Sequence, residues 1–296
     1  YNIPMKKITK TLAKKLLPKR PDDSNKGTFG KVLNIAGSVY YQGAAYLASL
    51  TPLKIGAGLS TLASIEPVIN NLASSSPCVT FLPLKDYQKK CISSEAFDDE
   101  LKNYIKNYNV ISTGPGLSNH EQVKIFISKL TEYLAEQNKT TIFDADALNC
   151  LAKLKPQKLP QNLLITPHPM ELSRLIEIPL EEIQANREKY AKYTAEKLNC
   201  NVILKGHKTI VCTKSLELYE NTTGNSALAK AGSGDVLTGI ISGLCSQNMP
   251  LEHAAILGVF IHGLCGDIAS KDLTNYCVLS SDQIKYIPEA LKHILT

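Results

Sequence analysis

The sequence lacks the features that mark membrane and secreted proteins. No apolar run approaches the roughly 20 residues that a membrane-spanning helix needs, and no signal peptide with an apolar centre and a small-residue cleavage site is present. None of the eight cysteines forms a C-x-x-C pair. Widely spaced cysteines of this kind indicate reduced, mostly buried thiols, so we expect a cytoplasmic protein with no membrane partner.

Two familiar nucleotide-binding motifs are also missing. No stretch matches G-x-x-x-x-G-K-[ST], which excludes a P-loop protein. The stretch GAGLST at 56–61 begins like a dinucleotide fingerprint, but it has no third glycine and follows a helical rather than an extended pattern. This combination argues against a Rossmann dehydrogenase.

Positive charge is concentrated near the start of the chain. The formal net charge is +6, and much of the excess lies in MKKITKTLAKKLLPKR at 5–20, within a basic segment that we place at 1–24. A solvated face on a first helix explains this charge more simply than an anionic partner or a membrane surface. No aromatic residue is interleaved with these lysines, so the stretch gives little support to nucleic-acid binding.

The rest of the chain alternates short apolar runs with helical patterns. The 296 residues include 44% hydrophobic side chains, enough for a sizeable core, and no break in composition divides them, so we predict one domain over 1–296. The first residue is Tyr1 rather than Met, which leaves open that the chain is a fragment. The runs that we predict as strands are 31–38, 78–83, 109–114, 140–146, 163–168, 201–206 and 209–213.

Most of these runs are continuously apolar, which is typical of strands buried on both faces. Their alternation with helices, such as the one predicted over 121–137, indicates an α/β fold with a mainly parallel sheet between helical layers. In such a sheet, ligands bind at the carboxyl ends of the strands. The apolar patterns at 235–247 and 251–269 predict two helices packed on several sides.

Several predicted strands end in loops suited to ligand binding. In STGPGLS at 112–118, Gly114 and Gly116 let the backbone approach a ligand, and the helix that follows offers free N–H groups to an anion. In DADALN at 144–149, Asp144 and Asp146 are two like charges that need a cation or hydrogen-bond donors nearby. Helix capping explains one of these carboxylates more easily than two.

Two further loops carry a histidine and a lysine. In LITPHPME at 164–171, prolines fix the backbone on both sides of His168. This residue is either hydrogen-bonded to the backbone of a turn or a rigidly presented functional imidazole. In ILKGHKT at 203–209, Lys205 follows a buried strand at a hairpin tip or strand end, where lysines are usually solvated.

The stretch AKAGSGDVLTGIISGL at 229–244 combines an anion-binding loop with a carboxylate. The amides of Gly232, Ser233 and Gly234 can converge on an anion, and the following helix adds the positive end of its dipole. Asp235 is then either the N-cap of that helix or a general base. As a base, it would take a proton from a hydroxyl while the loop holds the phosphoryl group being transferred.

Taken in order, the motifs resemble those of one family. The stretches NKGTFGKVLNIAGS, QGAAYLASLTPLKIGAGLS, GPGLS, DADALN, LITPHPMEL, VILKGHKTIV and GNSALAKAGSGDVLTGI together resemble the ADP- or ATP-dependent NAD(P)H-hydrate dehydratases, within the ribokinase-like superfamily. The resemblance covers roughly residues 25–270. It implies a three-layer α/β/α ribokinase-like fold with a mainly parallel central sheet, and a homotetramer.

The resemblance also implies a reaction. The S epimer of hydrated NADH or NADPH, NAD(P)HX, would be phosphorylated on its C6 hydroxyl and would then lose phosphate to restore NAD(P)H. ADP or ATP would be the co-substrate together with Mg²⁺, and the choice between ADP and ATP stays open. The metal ligands are unknown, although Asp144, Asp146 and Glu171 are candidates for organising Mg²⁺ through water.

Residue roles follow from the same resemblance. Asp235 would be the catalytic base, and the amides of Gly232, Ser233 and Gly234 would form the anion hole. The residues implied to bind the nucleotide are Lys205, Gly206, His207, Lys208, Thr209 and Gly234. The residues implied to contact the hydrated dinucleotide are Ala44, Gly116, His168 and Asp235.

The sequence departs from the family pattern just before the GSGD element. Ala227 and Ala231 replace glycines, and Lys230 replaces a small hydroxyl residue, so Lys230 either adds charge for a phosphate or points outward. Two alternatives therefore stay open: a small-molecule kinase of the thiamin-precursor type, and a nucleotide-binding protein without turnover. An NAD(P)H-hydrate epimerase, on a separate chain or in sequence before Tyr1, is the expected functional partner.

Overall fold

The fold is built on a ten-stranded sheet, which the computed structural model describes within residues 5–296. The strands are β1 (Lys6–Ile8), β2 (Lys31–Ile35), β3 (Leu59–Ile65), β4 (Thr80–Leu84), β5 (Asp86–Tyr87), β6 (Cys91–Ile92), β7 (Val110–Thr113), β8 (Thr140–Phe143), β9 (Asn162–Ile165), β10 (Asn201–Leu204), β11 (Ile210–Cys212) and β12 (Leu218–Asn221). The large sheet has the order β1-β12-β11-β10-β9-β8-β7-β2-β3-β4. All its neighbouring strands are parallel except β11, which is antiparallel to β10 and β12. Strands β5 and β6 form a separate antiparallel pair.

Helices cover both faces of this sheet. They are α1 (Lys10–Leu16), α2 (Gln42–Lys54), α3 (Glu66–Leu72), α4 (Asp99–Asn107), α5 (Glu121–Ala135), α6 (Ala145–Leu154), α7 (Pro169–Ile176), α8 (Leu180–Ala185), α9 (Arg187–Leu198), α10 (Ser233–Ser246), α11 (Leu251–Cys277), α12 (Ser280–Lys285) and α13 (Ile287–Leu295). Successive strand residues enter opposite cores, because side chains alternate across a strand. On β2, Leu33 and Ile35 belong to the core that includes side chains of α4–α9, whereas Val32 belongs to the core that includes side chains of α1, α10, α11 and α13. The result is the predicted three-layer α/β fold.

Helix α11 is the longest helix in the described part of the chain. By length and composition alone it could cross a membrane, but 72% of its most apolar 18-residue window is buried inside the protein. It packs against α10 and α13. The prediction that these apolar helices are packed on several sides is therefore confirmed. Thr274 interrupts α11 with a φ of 63°.

The predicted strands are found, but most are shorter than the apolar runs. Residues 144–146, 166–168 and 205–206 lie beyond the ends of β8, β9 and β10 at the carboxyl edge of the sheet, where 145–146 already belong to α6 and the others are in loops. Strands β1, β3, β5, β6 and β12 were not predicted. Strand β3 contains buried polar residues, so its sequence does not form a continuous apolar run. Ser60 donates a hydrogen bond of 2.6 Å to the carbonyl of Ser49, and Thr61 pairs with the Tyr108 hydroxyl.

The basic segment near the start is partly described. Residues 1–4 lie outside the described residues. On α1, Ala13 is buried while Lys10, Lys14 and Lys15 are exposed, and the Thr9 hydroxyl caps the helix by accepting a hydrogen bond from the Leu12 amide. The lysines of α1 therefore form a solvated charged face.

Candidate functional site

A cavity of about 670 Å³ lies beside the loop after β10 and the start of α10. Parallel strands end together at one edge of the sheet, so the loops after β8, β9 and β10 meet there. Its lining includes every residue of the predicted nucleotide segment 205–209, together with Ser233 and Gly234. It also includes His168 and, from α11, Val259, His262 and Gly263.

The first turn of α10 offers free amides at this cavity. Within residues 5–296, the N–H groups of Gly232, Gly234 and Asp235 have no protein acceptor, whereas the Ser233 N–H donates to the Lys230 carbonyl at 3.2 Å. Gly232 is the N-cap with a φ of 90°, and a Cβ there would lie 2.7 Å from the Leu47 side chain. Only glycine fits this position without strain. The loop therefore has the free donors and the helix dipole that an anion requires.

Asp235 lies at the third position of α10. The N-cap of this helix is Gly232, so the interpretation of Asp235 as an N-cap is wrong. Burial, together with the nearby negative charge of Asp144, raises the pKa of Asp235 to about 7, while Lys205 acts in the opposite direction. A carboxyl group with a pKa near neutrality can accept and release a proton at physiological pH, which suits a general base.

Lys205 points away from solvent. Its Nζ lies 2.8 Å from Asp144 Oδ1 and 3.7 Å from Glu171 Oε2, and its side chain is 19% exposed. Burial alone would lower the pKa of Lys205, but the charges of Asp144 and Glu171 outweigh burial and raise it. The same Nζ lies 3.3 Å from where a Cβ on Gly234 would be. The expectation of a solvated loop lysine is therefore wrong: the ammonium lies beside the anion-binding amides.

The two aspartates of the DADALN stretch are separately stabilised. Asp144 is 1% exposed and accepts hydrogen bonds of 2.8 Å from both Lys205 and the Thr238 hydroxyl. Asp146 accepts a hydrogen bond of 2.8 Å from the Ser118 amide. The cation and donors that two neighbouring carboxylates require are thus supplied by the protein itself.

These contacts determine whether the carboxylates of the site can ligate a metal ion. Among residues 5–296, no group of three or more histidine, cysteine, aspartate or glutamate side chains is arranged to hold a metal ion. The Asp144 and Glu171 carboxylates are already bonded to Lys205, Thr238 and the backbone of His168. This donor set does not fit a directly ligated ion.

His168 combines the two roles that its sequence context suggests. It is the N-cap of α7, where its Nδ1 accepts a hydrogen bond of 3.1 Å from the Glu171 amide, and its own amide donates to Glu171 Oε2 at 2.8 Å. Burial lowers the pKa of His168 and so favours the neutral imidazole. Because Nδ1 is an acceptor, the proton is on Nε2. The half-exposed ring also lines the cavity.

Ala44 and Gly116 form a second group outside the lining of this cavity. Gly116 has a φ of 63°, and a Cβ there would lie 3.0 Å from the Ala44 Cβ and 2.7 Å from the Tyr41 Cβ. Two residues further on, the Ser118 amide donates to Asp146, whose charge also acts on Asp235. Asp146 therefore contacts the loop that contains Gly116 and also contributes to the charge around Asp235.

The departures from the family pattern leave the loop unstrained. Neither Ala227 nor Ala231 adopts a positive φ, and Ala227 is buried against Ala269 and Val278. Lys230 Nζ donates to the carbonyl of Tyr276 at 2.5 Å. Its ammonium is thus bonded to the backbone at the end of α11, although the residue lines the cavity.

Sequence reasoning missed three residues of this site. Thr238 donates to Asp144, His262 Nε2 lies 3.1 Å from the Ser233 hydroxyl, and Arg187 binds the loop after β10. Thr238 and His262 lie within apolar helical patterns, where a polar residue is usually satisfied in the core. No local motif distinguishes them.

The fold, the free amides and the adjacent carboxylate define a class of protein. A ribokinase-like superfamily protein from Enterococcus faecalis V583 has a TM-score of 0.85 at 28% identity, over 99% of this chain and 98% of that one. An ADP/ATP-dependent NAD(P)H-hydrate dehydratase from Bacillus subtilis, co-crystallised with ATP/Mg²⁺, has a TM-score of 0.83 at 29% identity, over 99% of both chains. The chain has the ribokinase-like fold.

Sequence comparison identifies the family within that class. The sequence model of the NAD(P)H-hydrate dehydratase family matches residues 32–289. The ADP-dependent (S)-NAD(P)H-hydrate dehydratase of Bacillus subtilis (strain 168) is 34% identical over 277 residues, 93% of this chain and 94% of that protein. The bifunctional NAD(P)H-hydrate repair enzyme Nnr of Thermofilum pendens is 35% identical over 280 residues, 93% of this chain and 52% of that protein. The chain belongs to the NAD(P)H-hydrate dehydratase family, and it spans about half the length of its bifunctional relatives.

Family membership confirms the resemblance read from the motifs. It does not favour the small-molecule kinase or the nucleotide-binding protein without turnover.

Proposed function

We propose that this protein restores NADH and NADPH from the S epimers of their hydrates in a nucleotide-dependent dehydration. The observation that carries the proposal is the adjacency of Asp235 to free amides. The carboxyl group of Asp235 has a pKa of about 7. Asp235 comes directly after Gly234 in the chain, and the amides of Gly232 and Gly234 are unpaired. This segment lies beside the cavity of about 670 Å³. Phosphoryl transfer to a hydroxyl needs a base and an anion site in this relationship.

The first step of the proposed reaction is phosphorylation. The C6 hydroxyl oxygen of the hydrate attacks the terminal phosphorus of the nucleotide, and Asp235 takes the hydroxyl proton. The bond from that phosphorus to the bridging oxygen breaks, and the shortened nucleotide leaves. The free amides stabilise the charge on the phosphoryl group, and the ammonium of Lys205 lies close enough to Gly234 to add to that stabilisation.

The second step is elimination. The C6–oxygen bond breaks with its electrons going to phosphate, driven by the lone pair of the ring nitrogen. Loss of a proton from C5 then completes the C5=C6 double bond. The oxygen of the C6 hydroxyl leaves within the phosphate; its proton went to Asp235 in the first step, and the C5 proton goes to the departing phosphate. Phosphorylation is needed because hydroxide is a poor leaving group and phosphate is a good one.

The nucleotide is the ligand that we assign to the cavity. Support comes from the loop 205–209 in its lining and from the Bacillus subtilis structure, which was co-crystallised with ATP/Mg²⁺. Since the carboxylates nearby are already bonded, we propose that Mg²⁺ is bound mainly by the nucleotide phosphates and water. When bound, the ion would neutralise charge on the phosphates.

The hydrated dinucleotide is assigned to the group formed by Ala44 and Gly116, outside the lining of the nucleotide cavity, together with His168, which also lines that cavity. Gly116 and Ala44 form its backbone-lined wall, and the Nε2–H of His168 is its hydrogen-bond donor. This assignment rests on the mutual proximity of Ala44 and Gly116 and on the exposure of the His168 ring.

The proposal also includes the cellular location of the protein, its functional partner and its oligomeric state. A cytoplasmic location is supported by the eight unpaired cysteines, six of them buried. An NAD(P)H-hydrate epimerase as functional partner is supported by the bifunctional repair enzymes among the relatives. The homotetramer rests on the family resemblance alone.

One assay tests the reaction. The protein is incubated with Mg²⁺, ADP or ATP and purified (S)-NADHX, and the absorbance of the reduced nicotinamide ring is followed, with the R epimer as control. We expect absorbance to return for the S epimer and phosphate to form in equal amount. A kinase would consume nucleotide without restoring absorbance, and a binding protein would release no phosphate. Either result would overturn the proposed function.

A further inference from the structure

Arg187 contacts the backbone of the loop that joins β10 to β11. Its Nη1 donates to the carbonyl of His207 at 2.6 Å and to that of Lys208 at 3.4 Å. Its Nη2 donates to the carbonyls of Leu204 at 3.0 Å and Lys205 at 3.4 Å. The carbonyl oxygens of Leu204, the last residue of β10, and of three residues of the loop therefore converge on a single guanidinium group.

The loop depends on this contact because its conformation is unusual. Gly206 has a φ of 143° and Lys208 a φ of 54°. A Cβ on Gly206 would lie 3.1 Å from Arg187 Nη2, so the glycine lets the backbone approach the guanidinium closely. Carbonyl dipoles that point the same way repel one another, and the planar, delocalised charge of arginine offsets that repulsion. Within the loop, Thr209 adds one side-chain hydrogen bond, to the carbonyl of Gly206.

The same loop also lines the cavity that we assign to the nucleotide. Its residues line the cavity of about 670 Å³, and its first residue, Lys205, carries the ammonium beside Gly234. Arg187 does not line this cavity; it lines a second, open depression of about 930 Å³, which shares His207 and Lys208 of the loop with the first. It therefore acts on a ligand in the first cavity only through the loop.

We propose that Arg187 is a positioning residue that fixes the loop 205–209 in the conformation that binds the nucleotide. The inference rests on the proposed function in that it takes the nucleotide as the ligand of the cavity. A lysine cannot replace the arginine, because one ammonium group cannot reach acceptors spread along the loop in the way a guanidinium fork does. Substitution should therefore weaken nucleotide binding and leave the dinucleotide site unchanged.

The test compares Arg187→Met, Arg187→Lys and Lys192→Met. Lys192 is on the same helix and lines the same open depression, so its substitution removes the same charge without touching the loop carbonyls. Calorimetry with ADP gives the dissociation constant, and steady-state kinetics gives separate KM values for nucleotide and (S)-NADHX. We expect Arg187→Met to weaken ADP binding about 10-fold to 100-fold, as loss of charge-assisted hydrogen bonds implies. Arg187→Lys should recover little of this, and Lys192→Met should bind ADP as the wild type does.

The kinetic pattern separates positioning from a general loss of structure. In Arg187→Lys, which keeps the charge and the helix, KM for the nucleotide should rise while KM for (S)-NADHX stays within about twofold. Addition of free guanidinium ion to Arg187→Ala should restore part of the ADP affinity. Equal losses in both KM values, or unchanged ADP affinity in Arg187→Met, would overturn the inference. A wild-type protein that binds ADP but leaves hydrated NADH unchanged contradicts only the proposed function, because the ADP affinities of the variants can still be compared.

Discussion

The ammonium of Lys205 lies 2.8 Å from the carboxylate of Asp144, although 61 positions separate the two residues in the chain. This buried pair sets the charge around Asp235, since Asp144 raises the pKa of Asp235 and Lys205 lowers it. The electrostatic balance of the site therefore depends on one lysine that the loop after β10 directs inward.

Substitution of Lys205 by Met should raise the pKa of Asp235 above about 7, because it removes the cation that favours the ionised carboxylate. We expect kcat/KM at pH 7 to fall by about 10-fold to 100-fold and the acidic limb of its pH profile to move to higher pH. Lys192→Met is the control, since Lys192 is on α9 and does not line the nucleotide cavity. An acidic limb that stays in place in Lys205→Met would rule out the electrostatic role.

Asp235 should control the pH dependence of turnover. As a base it must be ionised, so with a pKa of about 7 the wild-type rate should rise about tenfold per pH unit below 7 and level off above it. Asp235→Asn should lose about 10²-fold to 10⁴-fold in turnover while the dissociation constant of the nucleotide stays nearly unchanged. Stopped-flow or steady-state rates across pH 5–9 measure both effects. Wild-type turnover in Asp235→Asn would show that another group is the base.

The same substitution should increase the stability of the protein above neutral pH. The pKa of Asp235 is raised on folding, from 3.8 to about 7, so between these values the folded state holds a proton that the unfolded state has lost. Stability therefore falls as pH rises through this window, and the loss is complete above about pH 7. Asparagine does not ionise, so Asp235→Asn should exceed the wild type in Tm at pH 8 and equal it near pH 4. Thermal unfolding at both pH values checks this, and an equal Tm difference at the two would contradict it.

The order of the secondary structure could be predicted from the sequence because the central strands are buried on both faces. Runs such as those at 140–146 and 201–206 are apolar for that reason. They were predicted too long because the loop residues that follow, among them Asp144 and Lys205, are buried as well, by contacts between distant parts of the chain. Strand β3 escaped prediction because its buried hydroxyls are satisfied by partners in other elements.

The positions of the site residues could be predicted only in part. The glycines and Asp235 form a local motif, and their adjacency to a helix start is visible in the sequence. The inward direction of Lys205 depends on tertiary packing, as do the bonds of Arg187 to the carbonyls of Leu204 and of three loop residues. No local sequence pattern shows either feature.

Lys230 should contribute little to nucleotide binding. Its ammonium donates to the carbonyl of Tyr276 and is therefore held at the end of α11. We expect Lys230→Met to change the dissociation constant of ADP by less than about threefold, since a hydrogen bond to a backbone carbonyl is lost but no phosphate contact is. Calorimetry at two salt concentrations measures this. A tenfold loss with strong salt dependence would show instead that Lys230 moves to the phosphates when nucleotide binds.

His168 can be tested so that its two roles separate. Alanine removes both the cap of α7 and the imidazole, whereas asparagine keeps a cap for the Glu171 amide but is too short to replace the ring. We expect His168→Ala to lose about 1 kcal/mol in free energy of unfolding and His168→Asn to lose much less. Both variants should raise KM for (S)-NADHX about tenfold and change KM for the nucleotide much less, because the proposed hydrogen bond from Nε2–H is to the dinucleotide, although the ring also lines the nucleotide cavity. Urea unfolding and steady-state kinetics on the same preparations provide the two measurements. If His168→Asn has the wild-type KM for (S)-NADHX, the imidazole is a helix cap alone and the dinucleotide must be bound by other residues.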